Sequence, residues 1–365
     1  LFRDSTLIGA KRLGFEIARF NPGIGDLLPD GPGTVPETSW AVLDNHVHQC
    51  IRHGLDILLT LARPPAGGSW NSVEYEDGFW EWDQLDYEGV LDLYIAIIDR
   101  VVTDNSFPPE RLFVEVANEA SLRTQGGVQE IGPPPKSTGV IQPLYLVALS
   151  NLIIALKVAF RAVTFLSHAF AFVDPARLAA MENPWKTEWE AFLPTPPALL
   201  TACDILNVHI YFGYKKSYGI MPWDEYARNV VALFDAFLEQ RDAMPDPEWD
   251  VVKAKPVWIT ETGVSYVFAG MEVDGFKWGN QDQLALFRTA AYDDLCFHEK
   301  ADAVFEFCMR NELEEYDARD HPFNEGILRF DGSITASYDR FAIMNGVADI
   351  VYPLHFVEAE ELVIA

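Results

Sequence analysis

The sequence is short of cysteine, of positive charge and of long uninterrupted apolar runs, and each shortage removes a class of protein. Its four cysteines, Cys50, Cys203, Cys296 and Cys308, lie far apart, with no CxxC spacing and no histidine at ligand spacing beside them. Zinc fingers and thioredoxin-type redox chemistry are thereby left out. Cys203 and Cys308 stand in apolar, strand-like runs, so buried free thiols are expected rather than two disulfides. Basic residues number 27 against 55 acidic ones, a formal charge of −28. Such a chain repels phosphate backbones and anionic lipid surfaces, so no nucleic-acid or membrane-surface partner is expected. The apolar stretch from Ile141 to Phe172 is uncharged only over Ile141–Leu156, 16 residues. A membrane span needs about 20, so the stretch reads as a buried helix. Gly-rich phosphate loops of the GxGxxG and GxxxxGK kinds do not follow any readable strand, and no cofactor is called for.

What the chain does have is a globular composition, 49% hydrophobic with 24 glycines and 23 prolines dispersed along 365 residues, a length that one closed α/β barrel can absorb. Helix-like Ser5–Arg12 leads into the strand-like run Leu13–Phe20, which stops at Asn21-Pro22-Gly23. A helix from Pro36 to Gly54 precedes Leu55–Ala62, apolar almost throughout, as a strand buried on both faces should be. The alternation continues with a helix over Tyr87–Val102, strand Arg111–Ala117, a long helix from about Gln142, and a short strand near Arg177–Glu182. Strand Asp204–Tyr211, helix Trp223–Gln240, strand Lys255–Thr260, helix Gln281–His298 and strand Ala303–Met309 complete it. Seven strands alternating with helices predict a parallel sheet. We expect an α/β fold of the (β/α)8 TIM-barrel type, with an open doubly wound sheet as the competitor. The barrel is expected over residues 1–345, and 346–365 as a tail that packs as an extra strand. If the first readable strand is the barrel's second, its strand one either precedes Leu1 in the natural protein or comes from the tail, where Asp349–Tyr352 and Leu362–Ala365 have strand character. A start at Leu1 without a signal peptide reads as a processed or partial form, and an extracellular or cell-surface location is expected.

Two of these strands end in glutamate. Phe113-Val-Glu-Val-Ala-Asn118-Glu119 and Pro256-Val-Trp-Ile-Thr-Glu261-Thr-Gly263 each deliver a carboxyl group to the C-terminal end of the sheet, where barrels of this type build their sites. A lone strand-end glutamate more often caps a helix or faces water. A pair, with Asn118 beside the first and tryptophan-rich loops around both, points to chemistry instead. Cleaving a glycosidic bond with retention needs one carboxylic acid to protonate the leaving oxygen and one carboxylate to attack the anomeric carbon, about 5 to 5.5 Å away. Metal-dependent hydrolysis would need histidines and carboxylates clustered at strand ends, but His46 and His48 lie on a helix and His209 alone ends a strand, so no metal is expected.

With these motifs in this order the chain resembles the large clan of retaining β-glycoside hydrolases built on the TIM barrel, which includes cellulases, mannanases, β-xylosidases and β-glucuronidases. The resemblance runs over about residues 5 to 345. It implies that Asn118 holds the sugar 2-hydroxyl, that Glu119 is the general acid/base and that Glu261 is the nucleophile. It also implies that Arg19, ending barrel strand two, supports the nucleophile, and that His209 and Tyr211 of the His-x-Tyr pair serve the site, Tyr211 donating to Glu261. The sequence departs from the clan where Ala120 follows Glu119 in place of proline, and where strand eight reads Phe305-Glu-Phe-Cys-Met309 without a tryptophan.

Indole faces stack on pyranose rings, so Trp70, Trp80 and Trp82 after one strand, and Trp185 with Trp189 after another, are the candidates for binding sugar; Trp258 inside a strand reads as core. Platforms on two sides of the barrel mouth predict an open groove and endo action on a poly- or oligosaccharide. The alternatives are an exo-acting β-glycosidase of β-xylosidase type, or a barrel that binds carbohydrate without cleaving it.

Overall fold

The computed structural model describes residues 4–22, 27–28, 33–61, 73–74, 80–81, 87–120, 127–128, 140–141, 143–171, 183, 185–211, 226–263, 272–273, 276–277, 292, 295, 301–306 and 341–342. Seven strands form one sheet: β1 (Ile17–Phe20), β2 (Asp56–Thr60), β3 (Leu112–Glu115), β4 (Thr164–Phe170), β5 (Ile205–Tyr211), β6 (Val257–Gly263) and β7 (Ala303–Glu306). Each pairs in parallel with the next in chain order. Parallel neighbours need a crossover between every pair, and right-handed crossovers in unbroken order curl the sheet into a nearly closed barrel with its helices outside. Among the described residues no strand joins β7 to β1; Asp349–Tyr352 and Leu362–Ala365, the tail candidates for that place, lie outside them.

Among the described residues the α-helices are α1 (Asp4–Arg12), α2 (Ala41–His53), α3 (Tyr87–Asp99), α4 (Pro143–Ala159), α5 (Lys186–Glu190), α6 (Ala198–Ala202), α7 (Tyr226–Asp242) and α8 (Asp250–Lys253). How one gives way to a strand is clearest at α2. Gly54 takes a left-handed φ of 64°, its N–H closing on the carbonyls of Cys50 and Ile51, and the Leu55 N–H reaches Cys50 O at 2.9 Å. A glycine holds this conformation without strain, and the chain enters β2 at once.

One strand differs from the sequence reading. The sheet takes Thr164–Phe170, part of the run read as a single buried helix, whereas Arg177–Glu182 lies outside the described residues. The helix ends at Ala159. Lys157 near that end donates to Ala202 O at 2.8 Å and pairs with Asp204. Four residues on, Val163-Thr-Phe is β-branched and aromatic and favours the extended chain.

Alternation along the strands divides the core in two. Outward residues such as Ile57, Leu59, Val114, Leu206, Val208 and Ile259 pack beneath the helices. Inward Leu58, Leu166, Ile205 and Trp258 form an apolar plug with Ile17, Phe113, Ala303 and Phe305 against them. The Phe113 and Trp258 rings lie 4.7 Å apart between centroids, and Trp258 and Phe305 5.7 Å. One inward step further along the strands the residues turn polar: Arg19, Thr60, Glu115, Asn207 and Thr260. The plug is the floor on which the site stands.

Candidate active site

Arg19, on β1, is the cation at the centre of this polar layer. Its Nε and Nη2 donate to Glu115 Oε2 at 3.1 and 2.9 Å, Nη2 also donates to Asn118 Oδ1 at 2.9 Å, and Nη1 donates to Glu261 Oε1. Thr60 Oγ1 adds a third bond to Glu115 Oε2, at 3.0 Å. Burial opposes the guanidinium charge, but Glu115 and Glu261 outweigh it and raise the pKa of Arg19. The group stays protonated, and its flat fork fixes two carboxylates and one amide relative to each other.

Glu119 follows the end of β3 with φ at 42°, a left-handed conformation that costs a non-glycine residue about 1 kcal/mol or more and is typically kept where function needs it. In this turn Glu119 Oε1 stands 2.9 Å from His209 Nδ1. The other imidazole nitrogen, Nε2, is 3.1 Å from Thr260 Oγ1, whose hydroxyl donates to Asn207 Oδ1. With its proton spent on Asn207, Thr260 accepts from Nε2–H. The contact between Nδ1 and Glu119 therefore holds one proton, carried either as a carboxylic acid beside a neutral ring or as a carboxylate beside an imidazolium. Burial disfavours the charge on His209, yet Glu261 and Glu119 more than offset it and the imidazole stands above its ordinary pKa.

Glu261 reaches the cleft through an irregularity in β6. Pairing with β5 runs Ile259 with Val208 and then Glu261 with His209, so Thr260 is an extra residue. Regular alternation would turn Glu261 outward; the bulge turns it inward beside His209. Its Oε2 lies 3.5 Å from His209 Nδ1. The facing oxygens of Glu119 and Glu261 and the His209 nitrogen all fall within 4.8 Å of one another. Carboxyl groups this close suit double displacement, whereas inversion needs about 6.5 to 9.5 Å to admit water between them. Glu119, His209 and Glu261 are the described donors that could meet a divalent cation; in this structure Glu261 is bonded to Arg19, and Glu119 and His209 share a proton.

Of the residues singled out in the sequence, Arg19, Asn118, Glu119, His209 and Glu261 are brought together here. Tyr211 pairs its backbone with Gly263, but its side chain lies outside the described residues. Trp80 belongs to a short antiparallel pair, Trp80–Glu81 with Val73–Glu74; its side chain, Trp70 and Trp82 lie outside them too. Trp185 is a correction. It is wholly buried, its Nε1 donates to Leu233 O at 2.8 Å, and its ring packs edge-on to Phe237. Trp189 is buried in the same cluster, stacked on Phe170. Neither can meet a sugar, because both indoles are wholly buried against Phe237 of α7. Trp258 is core, and Cys50 and Cys203 are free and buried, with burial first among the causes that push both thiols up to about 12. Sequence reasoning missed Glu115, Thr60, Asn207 and Thr260. For Glu115 a signal existed: a carboxylate between Val114 and Val116 in a buried strand needs a buried cation.

Neither a protein-family model nor a curated protein matches the sequence. Solved structures do. A GH5_18 enzyme from Streptomyces cattleya in complex with Manβ1-4GlcNAc is similar at a TM-score of 0.62 and 14% identity, over 96% of this chain and 76% of its own. An exo-β-1,4-mannosidase from Opitutaceae bacterium strain TAV5 is similar at 0.58 and 14%, over 94% of this chain and 55% of its own. A monomeric β-xylosidase from Caulobacter crescentus CB15 gives 0.56 and 14%, over 93% and 64%. The chain thus shares the TIM-barrel fold of these enzymes, and it spans a little over half the length of the mannosidase.

Proposed function

We propose that the chain is a retaining β-glycosidase that removes a terminal sugar from a β-linked oligosaccharide. The observation that carries the reading is the pair of carboxyl groups, Glu119 and Glu261, facing each other through His209 with their oxygens within 4.8 Å. In the first step a Glu261 oxygen attacks the anomeric carbon, the glycosidic C–O bond breaks, and the proton shared by Glu119 and His209 passes to the leaving oxygen. In the second, water attacks the anomeric carbon and gives a proton to Glu119, and the glycosyl ester to Glu261 breaks. Asn118 spends its amide oxygen on Arg19, so its NH2 is what it offers a sugar hydroxyl.

Exo action is favoured over the groove expected from sequence for two reasons. Trp185 and Trp189 are core, which removes the platforms on one side of the mouth. The structural neighbours include an exo-mannosidase, a β-xylosidase and a β-glucosidase. Trp70, Trp80 and Trp82 remain the proposed stacking residues. A panel of aryl β-glucosides, mannosides, xylosides and glucuronides, followed by timed product analysis on oligosaccharides, tests this. Monosaccharide as the sole early product is expected; internal fragments would return the groove, and no turnover of any member would leave a binding barrel.

A further inference from the structure

We infer that Glu115 is a positioning residue of this centre, a buried anion that holds Arg19 in the orientation serving Glu261 and Asn118. Three observations support this. The carboxylate is wholly buried, just above an apolar plug, where an anion is expensive unless bonded. Its bonding is lopsided: Oε2 takes Arg19 Nε, Arg19 Nη2 and Thr60 Oγ1, while Oε1 has no hydrogen bond among the described residues and stands 4.0 Å from His209 Nε2. A pair built for stability alone would match both oxygens to the guanidinium fork; here one oxygen grips the arginine by its inner edge and the other faces the imidazole. Gripping Nε and Nη2 sends Nη1 to Glu261 and the second proton of Nη2 to Asn118. Without that grip the fork is free to close on Glu261 with both arms.

The charges tell the same story. Facing Glu115 are Arg19 from β1 and His209 from β5, with Glu261 from β6 joined to it through Arg19, and with neutral Thr60 from β2 and Asn118 and Glu119 just after it in the chain. His168 from β4, which acts on His209, is kept neutral by burial. Among the described residues Arg19 offsets one carboxylate, and Glu119 and His209 share one proton and are neutral together, so Glu115, Glu261 and Arg19 together carry one negative charge. Opposite an oxocarbenium-like transition state a net anion is the favourable sign. With a neutral residue at 115 these described groups sum to zero.

The kinetic half of the test rests on the proposed hydrolase reading, and a second half does not. Glu115→Gln keeps the shape and removes the charge. On an aryl β-glycoside it should lower kcat by about 100-fold with KM little changed, because the lost charge acts on the transition state. The pH optimum should move about one unit toward acid, since removing an anion lets its neighbours give up protons more readily. Glu115→Asp, one methylene short, should move both in the same direction by less, and it decides the matter if the glutamine variant does not fold. Titration of the His209 imidazole by NMR in the full chain, assigned with a His209 variant, should fall by about one unit in Glu115→Gln and by less in Glu115→Asp. Folded variants with the parent's His209 titration and pH profile would make Glu115 mere filling. A parent chain that hydrolyses no glycoside would refute the hydrolase reading, and the imidazole titration would still decide this one.

Discussion

Replacing Arg19 with methionine keeps most of the side-chain volume and removes the cation that Glu115 and Glu261 share. Glu261 is 12% exposed and can recover some water, but Glu115 is wholly buried and would keep Thr60 as its remaining described donor. Breaking a buried pair from one side costs about 3 to 5 kcal/mol. The upper end is capped, because a stranded glutamate of ordinary acidity can take a proton for about 1.4 kcal/mol per pH unit above roughly 4.3, or about 3.7 kcal/mol at pH 7. The destabilisation expected at pH 7 is therefore about 3 to 4 kcal/mol. The sign of its pH dependence follows: in the variant the folded-state affinity of Glu115 for a proton is raised, so stability is retained at low pH and lost as pH rises. By pH 5 about 1 kcal/mol of the loss should remain. Urea unfolding of the parent and of Arg19→Met at both pH values measures this. The double variant Arg19→Met with Glu115→Gln should recover most of the pH 7 loss, since no charge is then stranded. A loss under about 1 kcal/mol at pH 7, or one of the same size at pH 5, would refute the reasoning.

Three further outcomes follow from the site. Glu261→Gln should be inactive on every glycoside, whereas Glu119→Ala should keep activity on aryl glycosides with good leaving groups and yield a β-glycosyl azide when azide is added; equal loss in both on such substrates contradicts the roles. The raised His209 pKa means that its protonation stabilises the fold below the ordinary histidine value of about 6.5, a contribution lost as pH rises through the folded-state value. Unfolding midpoints should show a decline with pH in that window that His209→Gln abolishes, and an unaltered slope would count against the imidazolium. Trp185→Ala should cost about 3 to 5 kcal/mol of stability and leave KM for short glycosides unchanged at a temperature where the variant is folded; a raised KM with stability intact would return this ring to the substrate.

Most of the centre was legible because barrel chemistry gathers at strand ends: Asn118, Glu119 and Glu261 each close an apolar run and His209 stands two residues from the end of its strand, and a polar residue there stands out. Thr260 did not stand out, because it sits inside its run; Glu115 carried a signal, a carboxylate between two valines, but the cation that answers it, Arg19, is 96 residues away in sequence. The strand Thr164–Phe170 was hidden for another reason. Between it and α4 there is neither glycine nor proline, so the apolar run reads as one helix although the backbone breaks at Phe160 to Val163. Trp185 and Trp189 show the limit of reading loops as surface. An indole after a strand is as able to fill a gap between sheet and helix as to meet a ligand, and here α7 supplies Leu233 and Phe237 to receive them.

Covalent trapping tests the central claim most directly. A 2-deoxy-2-fluoro β-glycosyl fluoride slows both steps while its leaving group keeps the first fast enough to accumulate the ester. Across sugars of gluco, manno and xylo configuration, the account predicts that at least one adds a single fluoroglycosyl unit to the intact mass and that peptide mapping finds it on Glu261. A label on any other residue, or hydrolysis of aryl glycosides with inversion at the anomeric carbon, would contradict it.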